Sequence, residues 1–343
     1  NTHFWKSNIM THHGSDYYMS AKVISVRTNG TEMLNGQNLK GYYLPLGATN
    51  IMTTGHEYDD AFVVWDWTRV PGTTAVANQS TADLRWYLFG SNQFGGGVSN
   101  AHNGVMAYEH AYQGVEARKA YFFMGDAMVC MGSGIKAART QEVRTSVNQC
   151  LANGEVTYGL SGHTYRLTNN LSDKNIDWAY HDNVGYIFPQ NESVTLRKAK
   201  QTGAWRELEV TASDKPVTKE IFSLWVSHGT TPQHEDYCYI IMPDKPLSYF
   251  TDKKFENEIK IIVNSEQIQA ISNENKRQYA AVFYEPGEIR FAEDLVVAVN
   301  KKVIIYIEKK DKQYEIAVAD PLYKEQSLQL SMNGEQINIV FPS

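Results

Sequence analysis

The sequence predicts an all-β chain in two parts, and three observations predict it. Short apolar or alternating runs recur along the 343 residues, punctuated by Gly, Asn and Pro at regular intervals. No amphipathic pattern sustains a helix longer than about three turns. Composition also shifts near residue 252: all seven Trp lie at or before Trp225, and Lys, Glu, Ile and Val dominate afterwards. Residues 1–252 are therefore read as a large multi-sheet antiparallel domain, and residues 253–343 as a small antiparallel β sandwich.

Taken in order, residues 17–27 alternate in strand-type residues. The stretch Thr31-Glu32-Met33-Leu34-Asn35-Gly36-Gln37-Asn38-Leu39-Lys40-Gly41-Tyr42-Tyr43 comes next and packs a carboxylate, three amides, an ammonium and two phenols into thirteen residues. A carboxylate, amides, an ammonium and phenols are costly to bury unpaired, so this stretch is expected on a rim, a cleft or an interdomain face. A polar turn between two strands is the plainer alternative. Residues 61–67 read as a strand closed by Pro71-Gly72. Gly95-Gly96-Gly97 is followed by no Gly-Lys-Ser/Thr and opens no helix, so a tight turn or bulge is expected rather than a phosphate cradle. Further strands are predicted over 120–131, 143–150, 156–158, 180–188, 205–210, 221–228 and 237–242. The last part adds 260–263, 280–284, 295–299, 303–308, 314–319, 327–332 and 337–341, with Asn333-Gly334 as the strongest hairpin signal.

Net charge is −6, which argues against a general binder of nucleic acid or of membrane surfaces. No stretch is long and apolar enough to span a membrane as a helix. The N-terminus carries no initiator Met and no signal-peptide pattern, and reads as a mature or excised segment. Cys130, Cys150 and Cys238 are scattered, which gives no zinc spacing and at most one bridge.

His12 and His13, adjacent on a strand, point to opposite faces and make a poor metal clamp. His181 beside Asp182 reads as a hydrogen-bonded structural pair, and His228 ends a strand. Asp59, Asp60 and Asp66 form an acidic set whose oxygens could gather calcium, although the spacing is not that of an EF-hand and a solvated acidic loop is the plainer reading. Trp65 and Trp67, two apart on the expected strand, would share one side and either fill a core or stack on sugars.

Several ordered motifs carry a family resemblance. Phe4-Trp5-Lys6-Ser7, Met10-Thr11-His12, and Glu32-Met33 with Asn35-Gly36-Gln37-Asn38-Leu39-Lys40-Gly41-Tyr42-Tyr43 come first. Gly47-Ala48-Thr49-Asn50-Ile51-Met52, Trp65-Asp66-Trp67 and Val70-Pro71-Gly72-Thr73-Thr74 follow. Gly96-Gly97-Val98-Ser99, His181-Asp182-Asn183-Val184-Gly185-Tyr186 and His228-Gly229 complete the series. Together they resemble the central region of polysaccharide lyase family 8. Within it the chondroitin AC lyases lie nearest, with hyaluronate and xanthan lyases as relatives. The match covers most of residues 1–250 and, more weakly, the remainder.

The resemblance implies a central β super-sandwich and a C-terminal β sandwich of a three-part enzyme whose first part is an α/α toroid. It also implies that this chain starts where the toroid ends. In the family the toroid supplies the Asn, His, Tyr and Arg that carry out β-elimination, and none of these maps here. Glu32 and Asn35 do map, as supporting residues at the cleft wall. The glutamate would hold the catalytic Arg in place through paired hydrogen bonds. Asn38 and Trp86 are implied as substrate contacts. Some members hold calcium near the segment matching residues 65–74. Asp66 is acidic there, but Thr68 stands where another acid is expected, so no cofactor is required and Ca2+ is the only candidate. The implied partners are an acidic polysaccharide, chondroitin sulfate or hyaluronan, and the toroid of the same parent chain, with no nucleic acid and no membrane. The implied parent is a secreted or periplasmic bacterial lyase. Two other readings stay open at this point. One is a stand-alone carbohydrate-binding β protein. The other is a hydrolase using Glu32 with Asp66, which would release no unsaturated product.

Overall fold

A computed structural model describes residues 1–79, 87–138, 140–311 and 313–342. It is built from antiparallel β-sheets, and among the described residues the sole α-helix is the single turn Leu247–Thr251. No described helix is long and apolar enough to cross a membrane.

A nine-stranded sheet organises the rest. From edge to edge its strands are His163–Arg166, Val156–Leu160, Trp178–His181, Val184–Ile187, Glu235–Pro243, Ala127–Ala137, Val115–Met124, Gly104–Tyr112 and Gly95–Ser99. Its central strands are buried on both faces. Tyr121, Phe123, Cys130 and Tyr239 point into one core, while Ala120, Phe122, Val129 and Ile240 point into another. Two-sided burial replaces the usual polar–apolar alternation with continuous apolar runs. Residues 120–131 and 180–188 therefore read as single strands, but each is a hairpin. Their turns lie at Gly125 and at Asp182-Asn183, where the backbone is left-handed.

One face of this sheet packs on a five-stranded sheet of Leu171–Lys174, Val194–Gly203, Val217–Thr230, Glu142–Leu151 and Thr74–Val76. A four-stranded sheet of Thr2–Phe4, Ile9–His13, Tyr18–Lys22 and Ala48–Met52 joins the same core. The other face packs on the sheet of Lys260–Asn264, Ile268–Asn273, Gln278–Phe283, Val303–Lys310 and Gln313–Ala319. Ile271, Val282 and Ile304 lie there against Phe122 and Val129. That sheet turns its far side to Gly287–Ala292, Leu295–Val299, Ser327–Met332 and Glu335–Val340, enclosing a third core. The C-terminal part is thus a sandwich that also shares a core with the larger one. Its last hairpin turns at Asn333-Gly334, both left-handed, as the dipeptide predicts.

Three local expectations are corrected. Residues 61–67 are not a strand: Phe62–Val64 form a 3₁₀ turn. Ala61, Val63 and Trp65 are buried while Phe62 is exposed, so burial imitates the alternation of a strand, but Val64 is buried as well and Val64 N bonds to Ala61 O at 3.0 Å, which closes the turn. Trp65 is buried, and Trp67 packs edge-on against it with ring centroids 5.6 Å apart. Residues 205–210 are also not a strand: Trp205–Glu207 form a 3₁₀ turn with no buried residue. Gly95-Gly96-Gly97 is not a turn but the start of an edge strand. A side chain at Gly97 would meet the Val105 carbonyl oxygen at 2.6 Å, so the glycine serves close backbone approach.

The glycine turns of the matched motifs meet at a buried polar knot. Gly47 and Gly72 are left-handed, and their carbonyls accept hydrogen bonds from Tyr121 Oη at 2.9 and 3.3 Å. Lys119 Nζ, fully buried, donates to the Gly72 carbonyl at 2.6 Å. Burial lowers the Lys119 ammonium to about 7.

Candidate functional site

Residues 31–40 of the polar stretch form a surface rim with no buried member, whereas Gly41 and Tyr43 are buried. The rim begins on a two-stranded ribbon in which Asn29–Glu32 pairs with Tyr87–Phe89, with Glu32 opposite Tyr87. Asn35 and Gly36 then adopt successive left-handed conformations, with φ of 54° and 73°. Gln37 N donates to Leu34 O at 2.9 Å and closes the turn. Asn and Gly occupy this geometry at the least steric cost.

Asn38 braces the turn from inside. Its Nδ2 donates to Thr31 Oγ1 at 2.9 Å and to the Glu32 carbonyl at 2.8 Å. A side chain at Gly41 would collide with Asn38 Oδ1 at 1.9 Å, so the second glycine makes room for the brace. A second loop, between Val194–Gly203 and Val217–Thr230, clasps the first. Leu39 N donates to Leu208 O at 3.0 Å, Val210 N donates to Gly36 O at 2.9 Å, and Lys40 pairs with Glu207. Residues 205–210 leave the sheet because their backbone groups bond within their own loop, as from Glu207 N to Ala204 O and Leu208 N to Trp205 O, and to the rim through Leu208 O and Val210 N.

Within this braced frame two groups are left over. The Glu32 side chain is exposed, and among the described residues its carboxylate has no hydrogen-bond or ion-pair partner. Asn35 is likewise exposed with an uncommitted amide. A rigid loop holding a free carboxylate can receive a guanidinium in a fixed direction. Trp86 lies outside the described residues; the strand that follows it in sequence carries Glu32's pairing partner.

Asp66 is placed quite differently. Its carboxylate accepts from Thr68 N at 3.0 Å, Thr68 Oγ1 at 2.7 Å and Arg69 Nε at 2.7 Å. Burial pushes the Asp66 carboxyl up, but the Arg69 charge and the Thr68 donors outweigh it and hold the group below the usual range. Arg69 in turn lies over the Trp225 ring at 4.5 Å, and Arg144 lies over the same ring at 5.1 Å. Thr68, where a further acid was expected, is a donor to Asp66. Asp59 contacts His56 at 2.8 Å and Asp60 faces Lys219 at 3.9 Å, so the acidic set does not converge. Among the described residues no three His, Cys, Asp or Glu side chains gather as a metal would need. A calcium ion takes six to eight oxygens. The Asp66 oxygens already face donors, and the Arg69 guanidinium supplies the positive charge, so this arrangement does not fit the ion.

His12, His181 and His228 are buried in the scaffold. His12 is buried and His13 exposed, as alternation requires. His181 does not pair with Asp182; it stacks on Phe222 at 4.3 Å, while Asp182 accepts from Asn153 Nδ2. Asp182 sits in the left-handed turn and points away from the strand. His228 Nε2 lies 2.8 Å from Thr145 Oγ1 inside a strand rather than at its end. Burial lowers both His181 and His228 to about 3, helped at His181 by Lys198 and at His228 by Lys119. The three cysteines are buried and free. Sequence reasoning missed Lys119, yet strand parity could have found it: Ala117, Lys119, Tyr121 and Phe123 share one face.

Comparison with known proteins follows from this geometry. The family model described as polysaccharide lyase family 8, super-sandwich domain, matches residues 1–254. The C-terminal beta-sandwich domain of the same family matches residues 260–329. Chondroitinase-AC of Pedobacter heparinus is 33% identical, over 99% of this chain and 49% of its own length. A hyaluronate lyase of Staphylococcus aureus is 26% identical, over 91% of this chain and 39% of its own. A solved chondroitinase AC lyase, studied as enzyme–oligosaccharide complexes, superposes with a TM-score of 0.92 at 30% identity, over 99% of this chain and 51% of that one. A Paenibacillus xanthan lyase superposes with a TM-score of 0.85 at 22% identity, over 94% and 32%, a likeness of fold. The chain spans about half the length, or less, of these relatives.

Proposed function

Because this chain belongs to polysaccharide lyase family 8, we propose that it forms the β portion of a lyase that cleaves chondroitin or hyaluronan by β-elimination. In that reaction the uronate carboxylate is neutralised, which acidifies the proton on C5. A tyrosine takes that proton, the bond from C4 to the glycosidic oxygen breaks, a C4–C5 double bond forms, and the leaving oxygen gains a proton. The proposal assigns the tyrosine and its His, Asn and Arg neighbours to an α/α toroid of the same parent, and assigns a supporting wall to this chain. It further takes the parent to act outside the bacterial cytoplasm, where such polysaccharides are met.

The observation that carries the reading is the exposed Glu32 carboxylate, without a partner among the described residues, on a rim clasped by the 205–210 loop. A bracing role needs a fixed backbone and a free carboxylate, and both are present. Asn35 beside it offers a neutral donor and acceptor to the cleft. A hydrolase built on Glu32 with Asp66 is disfavoured, because the Asp66 oxygens are committed to Thr68 and Arg69.

The test uses the parent enzyme with its upstream coding sequence. Chondroitin sulfate and hyaluronan are supplied, and ultraviolet absorbance of the unsaturated uronate is followed. The reading expects that absorbance from the parent and its loss in Glu32→Ala, mainly in kcat, with Glu32→Gln recovering part. Reducing ends released without unsaturated product would refute it.

A further inference from the structure

We infer that the cavity between Trp5 and Tyr323 is a second saccharide subsite, which takes a ring of an anionic polysaccharide. The inference rests on the substrate class proposed above, but on different residues. The cavity measures about 310 Å³ and is lined by Trp5, Lys6, Asn8, Arg27, Thr28 and Tyr323.

Two exposed rings frame it. Trp5 is 56% exposed and Tyr323 42% exposed, with centroids 6.3 Å apart and planes 29° from parallel. Flat faces held open to water suit the C–H faces of a pyranose. The Tyr323 ring is held there deliberately. Its backbone is left-handed at φ 55°, a region that a bulky aromatic residue rarely enters. The Arg27 guanidinium lies over the ring at 4.3 Å, and Gly96 leaves space beside it.

Charge selects the ligand. Arg27 donates to four backbone carbonyls, of Gln93, Gly95, Pro321 and Leu322, and no ion pair neutralises it among the described residues. Asp320, whose charge Arg27 also feels, turns its oxygens to the N–H groups of Leu322, Lys324 and Glu325. Lys6 has no carboxylate or carbonyl partner among the described residues, and its ammonium lies 5.3 Å from the Trp5 ring. Two positive charges thus border the cavity of a chain whose net charge is −6. Asn8 beneath the cavity is only 1% exposed and donates from Nδ2 to Ser25 Oγ at 3.4 Å, so it is part of the floor. A ring carrying a carboxylate or sulfate answers both the open aromatic faces and the positive charge.

The position adds register. Thr28 directly precedes Asn29–Glu32, so cavity and rim adjoin the two ends of one short strand. Four residues of extended chain span about 13 Å. Tyr323 comes from the C-terminal part, so both domains build the subsite. A polymer seated here and at the rim would be gripped at two points.

The experiment titrates the 343-residue chain with a chondroitin sulfate hexasaccharide by calorimetry, with neutral cellohexaose as control. Trp5→Ala should weaken the hexasaccharide by about threefold to tenfold, with Trp5→Phe keeping most of the affinity. Lys6→Glu should weaken it and flatten its salt dependence. Melting curves should match the parent, since both side chains are exposed. Hexasaccharide binding equal in Trp5→Ala, Lys6→Glu and the unsubstituted chain overturns the subsite. So does the absence of any binding, and so does equal binding of cellohexaose. The lyase reading is judged separately, by unsaturated product from the parent enzyme, and stands or falls without this result.

Discussion

Glu32 and Asp66 both lie in motifs that mark the family, and the fold treats them in opposite ways. Glu32 stands on a ribbon at the surface, Asn38 and the Leu208–Val210 clasp fix the turn that follows it, and its carboxylate has no partner among the described residues. Asp66 sits in a half-buried node where every oxygen is matched by a donor from Thr68 or Arg69. The contrast separates two uses of a carboxylate. One is exposed and is proposed to receive a group from elsewhere, and the other fastens its own scaffold. Proximity of acids in sequence says nothing about which use applies; the count of donors around each oxygen does.

The comparison can be broken most directly at Asp66. Asp66→Ala leaves Arg69 buried without its anion, and should cost about 3 kcal/mol of stability in urea unfolding. Loss of activity without loss of stability would instead put Asp66 in the cleft. Glu32→Ala should do the reverse. In the parent enzyme it should lower kcat about 100-fold, while stability moves by no more than about 0.5 kcal/mol.

Asn38→Ala sharpens the role of the rim. As a brace it should lower kcat about tenfold with KM little changed, because Glu32 loses its fixed direction. A raised KM at constant kcat would make Asn38 a substrate contact instead. Acid should then loosen the interior before the rim. His181 and His228 are held near 3 when folded, against 6.5 when unfolded. The unfolded chain therefore binds more protons between these values. Stability is whole above pH 6.5 and is lost as pH falls toward 3. Each histidine should cost about 1 kcal/mol between roughly pH 7 and pH 5.5, and His228→Gln should remove its share. The smallest expected effect is that of calcium. Added calcium or a chelator should leave the melting temperature unmoved, and a rise with calcium would show donors around Asp66 rearranging to bind it.

Much of the fold was legible in residue order. Turn dipeptides and short apolar runs are local signals, and Asn333-Gly334 specifies its hairpin wherever it stands. Residues 31–40 read as surface because their groups are costly to bury unpaired, but the same argument missed Tyr43, which is buried with no hydroxyl partner among the described residues. The failures share a cause. Residues 120–131 read as one strand because both faces of the central sheet are covered. The triple glycine read as a turn because the backbone it must approach lies elsewhere in the chain. Residues 205–210 read as a strand although their hydrogen bonds run within their own turn and, at Leu208 and Val210, to the loop at 36–39.

The sequence by itself determined the β class, the hairpin turns, the two-part division of composition and the motif order that marks the family. These depend on neighbours within a few residues, where steric and hydrogen-bond preferences act directly. Only the tertiary structure decided which carboxylate is free, that the two sandwiches share a core, and that Trp5 meets Tyr323 across more than three hundred residues. Whether a polar group is satisfied depends on donors brought from distant strands, and that count does not exist until the sheets have packed.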